Sequence, residues 1–323
     1  MRFILDDEQR GFASSLSDLL GKADVVGATR AWADGDTSRG LALWTRLAEQ
    51  GVTALAAPES AGGMGADPID LVVAFEQLGR YAVPGPWVES AAYLPRLLAD
   101  VRPETVSALA EGAMGSVHVA DHAPCALDAD VADHLFVVRG DEVRTATVAG
   151  HARGSVDPAR RLFDLSQGGP VEASADALSE AFDLAALACS AQLLGLGEQL
   201  LASTVDYVKQ RKQFGRVIGS YQALKHEAAD VRIGLDFARP LVHGAALTFD
   251  TADRARDVSA AKVAVSDAAY RAARTALQLH GAIGYTEEYD LSLWLLKVRA
   301  LVAAWGTTSF HRARVLDAVT GAA

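Results

Sequence analysis

Aromatic residues are scarce in this sequence, 7% of 323 residues, although half of the chain is apolar. Alanine, leucine and valine must therefore fill the core, a composition that suits packed helices. Cysteine is nearly absent: Cys125 and Cys189 lie far apart and fit no metal or redox spacing, so a reducing cytoplasm is the expected compartment. Positive charge is in deficit. With 30 Lys and Arg against 41 Asp and Glu, the formal net charge of −11 argues against a general nucleic-acid or anionic-membrane binder. Long uninterrupted apolar runs are missing too. The best membrane candidate, Leu184 to Ala202, carries Gln192, Glu198 and Gln199, and reads as a buried bundle helix. The N-terminus turns acidic at Asp6 after Phe3, Ile4 and Leu5, which is no signal-peptide pattern. There is no Gly-x-Gly-x-x-Gly after a strand, no phosphate loop and no recognisable Ser or Cys nucleophile motif, which speaks against a Rossmann site.

The length allows one to three domains and a large core. Residues 1–112 read as helices with short breaks. Asp6 to Leu20 places Phe12, Leu16, Leu19 and Leu20 at helical spacing, and Leu41 to Leu47 is a second such segment. Gly51 to Gly65 is a short apolar run ending in a glycine-rich loop, followed by a helix over Asp67 to Tyr81. Pro84, Gly85 and Pro86 break that helix, and another runs on through Leu98. Residues 113–176 change character. Gly115 to Ala120, His134 to Val138 and Glu142 to Val148 are β-rich runs between Gly and Asp turns. From 177 to 323 the chain reads as helical again, over 177–213, 220–248, 253–281, 290–303 and 307–319, with Asp290 and Thr307 as N-caps of the last two. The expected fold is mainly α, with a small central β-domain and a C-terminal four-helix bundle.

The most informative stretch is Tyr207 to Gln222. Gly215 is the expected C-cap of the preceding helix and Ser220 the expected N-cap of the next. Lys209, Arg211, Lys212 and Arg216 crowd the helix end, either as a solvated basic face or as contacts for a phosphate from outside the chain. The spacing Arg211, Gln213, Phe214, then Gln222 resembles a flavin-binding signature of the acyl-CoA dehydrogenase family. A second stretch, Gln278-Leu279-His280-Gly281 through Gly284-Tyr285 to Glu288, is similar to the family's other signature. The resemblance implies FAD, held by Arg211, Gln213, Phe214, Gln222, Gln278, Leu279, His280, Gly281 and Thr307. In the family the arginine reaches the pyrophosphate of a flavin bound largely by a neighbouring subunit. The resemblance also implies desaturation of an acyl-CoA thioester at Cα–Cβ, with a carboxylate taking the α-proton while the flavin accepts hydride.

The sequence departs from the family where the chemistry would be done. Relatives carry their base either just before the last helix or on the helix preceding the first signature. Those positions hold Trp305 and Ala185, and neither can accept a proton. A substrate-side arginine is replaced by Ala186, although Phe182-Asp183 matches the family's Phe-Asp. The Thr-Glu-Pro-x-x-Gly-Ser-Asp loop of the β-domain has no counterpart. Glu287 and Glu288 are the nearest acidic candidates, and read better as loop carboxylates. Lys225-His226-Glu227 resembles the start of a His-Glu-x-x-His zinc helix, but the second ligand is Asp230. His280 reads as packing or as support rather than as a catalyst.

Three functions fit these observations. The leading one is a base-lacking subunit of a heteromeric acyl-CoA dehydrogenase, resembling actinobacterial α2β2 enzymes for steroid or other bulky acyl-CoA thioesters. It would pass electrons to an electron-transfer flavoprotein or a similar acceptor. The others are a self-sufficient homo-oligomeric flavoenzyme, as a dehydrogenase with an unaligned base or a monooxygenase, and a non-enzymatic paralogue.

Overall fold

A computed structural model describes residues 4–321. The first three residues of the N-terminal stretch lie outside the described residues.

The N-terminal helices are α1 (Asp7–Lys22), α2 (Val25–Ala33), α3 (Ser38–Glu49), α4 (Pro68–Arg80), α5 (Leu94–Leu98) and α6 (Pro103–Ala110). Asp6 and Gln9 close a capping box on α1, each side chain bonded to the other's backbone amide. A π-helical turn, Glu89–Tyr93, leads into α5. Five strands follow: β1 (Gly115–Val119), β2 (Ala126–Leu127), β3 (His134–Arg139), β4 (Glu142–Arg153) and β5 (Leu162–Val171). They form one sheet in the order β1-β3-β4-β5-β2. β1 runs parallel to β3, while the β3–β4, β4–β5 and β5–β2 pairs are antiparallel. The chain then returns to helix in α7 (Ala175–Gln210), α8 (Gln222–Leu247), α9 (Arg254–His280), α10 (Leu291–Leu301) and α11 (Thr308–Thr320).

α7 is the axis of the molecule. It is the one helix among the described residues long and apolar enough to cross a bilayer, yet 89% of its most apolar window is buried inside the protein. Its middle holds almost nothing but Ala, Leu, Gly, Ser and Cys, which lets neighbouring helices come close. A Cβ at Gly195 would stand 1.9 Å from the Glu76 carbonyl, and one at Gly79 2.0 Å from that of Gln192. The α4 and α7 backbones therefore touch at two glycines that no larger residue could replace. Asp183, fully buried on the same helix, accepts from Arg254 at 3.0 Å and Arg314 at 2.7 Å, tying α7 to α9 and α11.

Several local expectations are corrected. α7 ends at Gln210, not at 213, and Gly215 is no helix cap. Lys212–Gln213 (β6) and Arg216–Val217 (β7) pair as a hairpin instead, Lys212 opposite Val217 and Gln213 opposite Arg216. The turn between them is Phe214-Gly215, both at positive φ, +51° and +80°, the pattern that tight hairpins demand. Ser220 does not cap α8 either. Its hydroxyl donates to the Val217 carbonyl within a 3₁₀ turn, and α8 opens two residues later after Tyr221. Asp290 makes no cap; its carboxylate takes a bond from Arg30 at 2.9 Å. Thr307 does cap α11, accepting from the Phe310 amide at 3.2 Å. The helices α2 and α6 and the strands β2 and β5 have no counterpart among the sequence expectations.

Candidate functional site

The two sequence motifs meet at one end of the bundle. α7 delivers Tyr207, and α9 delivers His280 at its last position. The Tyr207 ring stacks on the imidazole with centroids 4.3 Å apart, and its hydroxyl donates to the His280 carbonyl at 3.3 Å. Tyr289 closes the other edge of the imidazole at 5.5 Å. His280 Nδ1 donates to the Ala276 carbonyl at 2.8 Å, which leaves Nε2 as a buried acceptor with no partner among the described residues. Burial holds the imidazole below its ordinary pKa, so it is neutral. Gly281 follows at φ +63°, ψ −141°, a conformation open only to glycine, although no atom stands within 4 Å of where a Cβ would point.

The first motif lies on the surface. Arg211, Gln213 and Gln222 are exposed or nearly so, and Phe214 is 91% exposed at the hairpin tip. None of Lys209, Arg211, Lys212 and Arg216 makes an ion pair among the described residues; Arg216 only stacks on the Tyr221 ring, at 3.9 Å. Gln222 reaches the His226 ring at 3.4 Å. A cluster of unpaired cations with a displayed phenyl ring, on a chain of net charge −11, suits an anionic aromatic ligand arriving from outside. Gln278 lines a groove of about 510 Å³ with Arg274, Tyr285, Glu287 and Arg299. Leu279, His280 and Gly281 are not part of that lining, and Thr307 sits apart as the N-cap of α11. His226 and Asp230 form no metal pair, since Asp230 bonds Arg271 at 2.9 Å.

Both positions aligned with the family's base are sealed. Ala185 and Ala186 are fully buried on α7. Trp305 is 1% exposed, at φ +56°, with its ring 4.9 Å from that of Tyr93. Its carbonyl accepts from His311 Nε2 at 2.9 Å, and its amide donates to the His122 carbonyl at 3.2 Å. Glu287 and Glu288 are exposed, and Arg30 bonds their carbonyls rather than their carboxylates. A carboxylate that sequence reasoning missed is Glu89. It is only 3% exposed, on the π-helical turn, and its burial raises its pKa. Nothing in the sequence marks that burial, except that Pro84-Gly85-Pro86 forces a turn just before it.

Models of the acyl-CoA dehydrogenase N-terminal and C-terminal domains match residues 6–99 and 175–320. The chain belongs to the acyl-CoA dehydrogenase family. This places it among oxidoreductases, and residues 100–174, which hold the sheet, lie outside both matches. Acyl-CoA dehydrogenase IpdE2 of Mycobacterium tuberculosis is 33% identical over 301 residues, spanning 89% of this chain and 90% of that protein. The ChsE4-ChsE5 complex from Mycobacterium tuberculosis contains a chain with the same fold, TM-score 0.84 at 21% identity, covering 99% of both chains. Butyryl-CoA dehydrogenase from Megasphaera elsdenii superposes with TM-score 0.83 at 21% identity, over 99% of this chain and 100% of that one. A mainly α acyl-CoA dehydrogenase fold with a small sheet, as expected from the sequence, is what the chain adopts.

Proposed function

We propose that this chain is the base-lacking subunit of a heteromeric, FAD-dependent acyl-CoA dehydrogenase that desaturates a thioester at Cα–Cβ. The observation that carries the reading is that two sealed base positions, Ala185 and Trp305, stand in a chain that keeps both flavin-type sequence motifs. When bound, the flavin supplies the acceptor for the hydrogen that leaves Cβ. This chain's part is to hold it. Arg211 meets the pyrophosphate, with Lys212 and Arg216 adding charge. Phe214 covers the dinucleotide, and Gln213, Gln222 and Gln278 offer amides to its polar edges. Leu279, His280 and Gly281 shape the backbone beside it, and Thr307, at the start of the last helix, completes the set. A homologous partner chain supplies the base for the α-proton. Ile233, Phe237 and Leu241 form an exposed apolar row along α8, which supports packing against a second chain. The units we assign are 1–112, 113–176 and 177–323. Likeness to a steroid acyl-CoA dehydrogenase, Tcur3481-Tcur3483 (TM-score 0.84, 22% identity, 98% of both chains), supports a bulky acyl group. The location is the cytoplasm, and the electron acceptor is an electron-transfer flavoprotein or a similar carrier.

One observation favours a self-sufficient homo-oligomer instead: Glu287 lines the same groove as Gln278. Co-expression with a homologous subunit that carries Glu at an aligned base position separates the two. Under the leading reading, flavin absorbance and dehydrogenation appear only in the co-purified assembly, and the partner's Glu→Gln change abolishes turnover. Robust dehydrogenation by this chain alone, abolished by Glu287→Gln or Glu288→Gln, would overturn it.

A further inference from the structure

Two nucleophilic side chains meet in the core of the bundle, outside both flavin-type motifs. Cys189 on α7 and Lys262 on α9 are each fully buried. Lys262 Nζ donates to the carbonyl of Leu301, the last residue of α10, at 2.7 Å. The Cys189 thiol donates to the same carbonyl at 3.5 Å, and amine and thiol lie within hydrogen-bonding reach of each other. No carboxylate pairs with Lys262 among the described residues.

A fully buried lysine without a counter-ion is rare, because an apolar core penalises the charged form. Burial accordingly pulls the Lys262 amine below its ordinary range, which favours the free base and its nucleophilic lone pair. Satisfying a carbonyl at the end of α10 accounts for the lysine, but not for a thiol set against its nitrogen. Burial also raises the pKa of Cys189 and shuts out bulky reagents. A small oxidant has a way in. Sγ lies 3.9 Å from the Ala304 carbonyl, and Ala304 lines a cleft of about 430 Å³ together with Ala300 and Ala303.

We propose that Cys189 and Lys262 form an oxidative cross-link, a sulfenamide between Sγ and Nζ, with hydrogen peroxide as the oxidant. Peroxide takes two electrons from the thiol, giving the sulfenic acid and one water. The free Lys262 amine then attacks that sulfur. The S–N bond forms, the S–O bond breaks, and the departing hydroxide takes a proton from nitrogen as a second water. The bond ties α7 to α9 through the core, and a thiol reductant attacking sulfur restores both groups. It requires no flavin, base or partner chain, so it and the subunit reading can fail separately.

The experiment uses the full chain, with whatever subunit co-purifies, in a Cys125→Ala background that leaves Cys189 as the one thiol of this chain. The native protein is exposed to hydrogen peroxide, quenched with catalase, unfolded, treated with a maleimide and digested with trypsin. We expect the Cys189 and Lys262 peptides as one joined species, lighter than the separate pair by two hydrogens. Cleavage after Lys262 is lost, and Cys189 carries no maleimide. Dithiothreitol added before the maleimide returns both peptides. Lys262→Met abolishes the joined species, and so does unfolding in urea before the peroxide; the urea arm serves if Lys262→Met does not fold. Three results would overturn the proposal: Cys189 remaining a free thiol, Cys189 ending as sulfinic acid beside an unmodified Lys262, or equal cross-linking in the urea-unfolded chain.

Discussion

Tyr207 lies flat on His280, its ring tilted by 24° with centroids 4.3 Å apart, and its hydroxyl bonds the His280 backbone carbonyl. The contact bridges 73 residues of sequence and joins the last turn of α7 to the last residue of α9. Because His280 Nδ1 is taken by Ala276, the imidazole cannot swing away from the stack without breaking a bond. The pair therefore adds a local tie between the two flavin-type motifs at the end of the α7–α9 packing.

Tyr207→Ala should lower stability by about 2–4 kcal/mol, combining the lost stack with the cavity left behind. Tyr207→Phe keeps the stack and should cost about 1 kcal/mol or less, the worth of one neutral hydrogen bond. Urea unfolding of both variants checks the ratio. Equal losses would mean that the hydroxyl, not the ring, carries the contact.

Much of the fold was legible because long helices write their period into the sequence. Leu16 and Leu20 mark the inner face of α1, and both are buried. The end of α7 was ambiguous for a physical reason. A glycine at positive φ serves a helix C-cap and a hairpin turn equally well, and only the pairing of Lys212 with Val217 decides between them. β5 was hidden because Ser166-Gln167-Gly168-Gly169-Pro170 shows no alternation; its register comes from β4. At the site, Arg211 and Phe214 were recognisable as residue types at a spacing. The burial of Glu89 was not, since burial is a property of neighbours distant in sequence.

Arg211→Ala should release flavin from the purified assembly. Arg211 is exposed, and its side chain makes no bond among the described residues, so stability should change by less than about 0.5 kcal/mol. The lost contact to a pyrophosphate is worth about 1.5–3 kcal/mol, a factor of roughly 10–100 in affinity. The ratio of flavin absorbance to protein after gel filtration reads it. An unchanged ratio would remove Arg211 from the proposed site.

His311 predicts an acid weakness. It is fully buried between Ser259 and the Trp305 carbonyl, and burial pulls its pKa down to about 4. Above pH ~6.5 the imidazole is neutral in the folded and unfolded chain alike and adds no pH dependence. As pH falls from about 6.5 towards about 4, the unfolded chain takes up a proton that the folded chain refuses, so stability drops, by at most ~3 kcal/mol. His311→Gln cannot titrate. Its stability at neutral pH will be lower, but the further loss between about pH 7 and 4.5 should be smaller than in the parent by ~2 kcal/mol. Parallel losses in urea unfolding at the two pH values would rule out His311 as the source.

Phe214 separates stability from function most cleanly. Its ring is 91% exposed and its backbone sits at φ +51°, so the folded chain gains almost nothing from the side chain and bears a left-handed strain. For an ordinary residue that strain is about 1–2 kcal/mol, while asparagine adopts the same turn position readily. Phe214→Asn converts the turn to Asn-Gly and should leave the unfolding midpoint unchanged or raise stability by about 0.5–1 kcal/mol. If the ring is displayed to cover a dinucleotide at a subunit interface, the same change should lower flavin retention and weaken assembly. Native mass and flavin content measured on the variant decide the matter. A more stable protein that still assembles and holds its flavin would show that Phe214 serves neither.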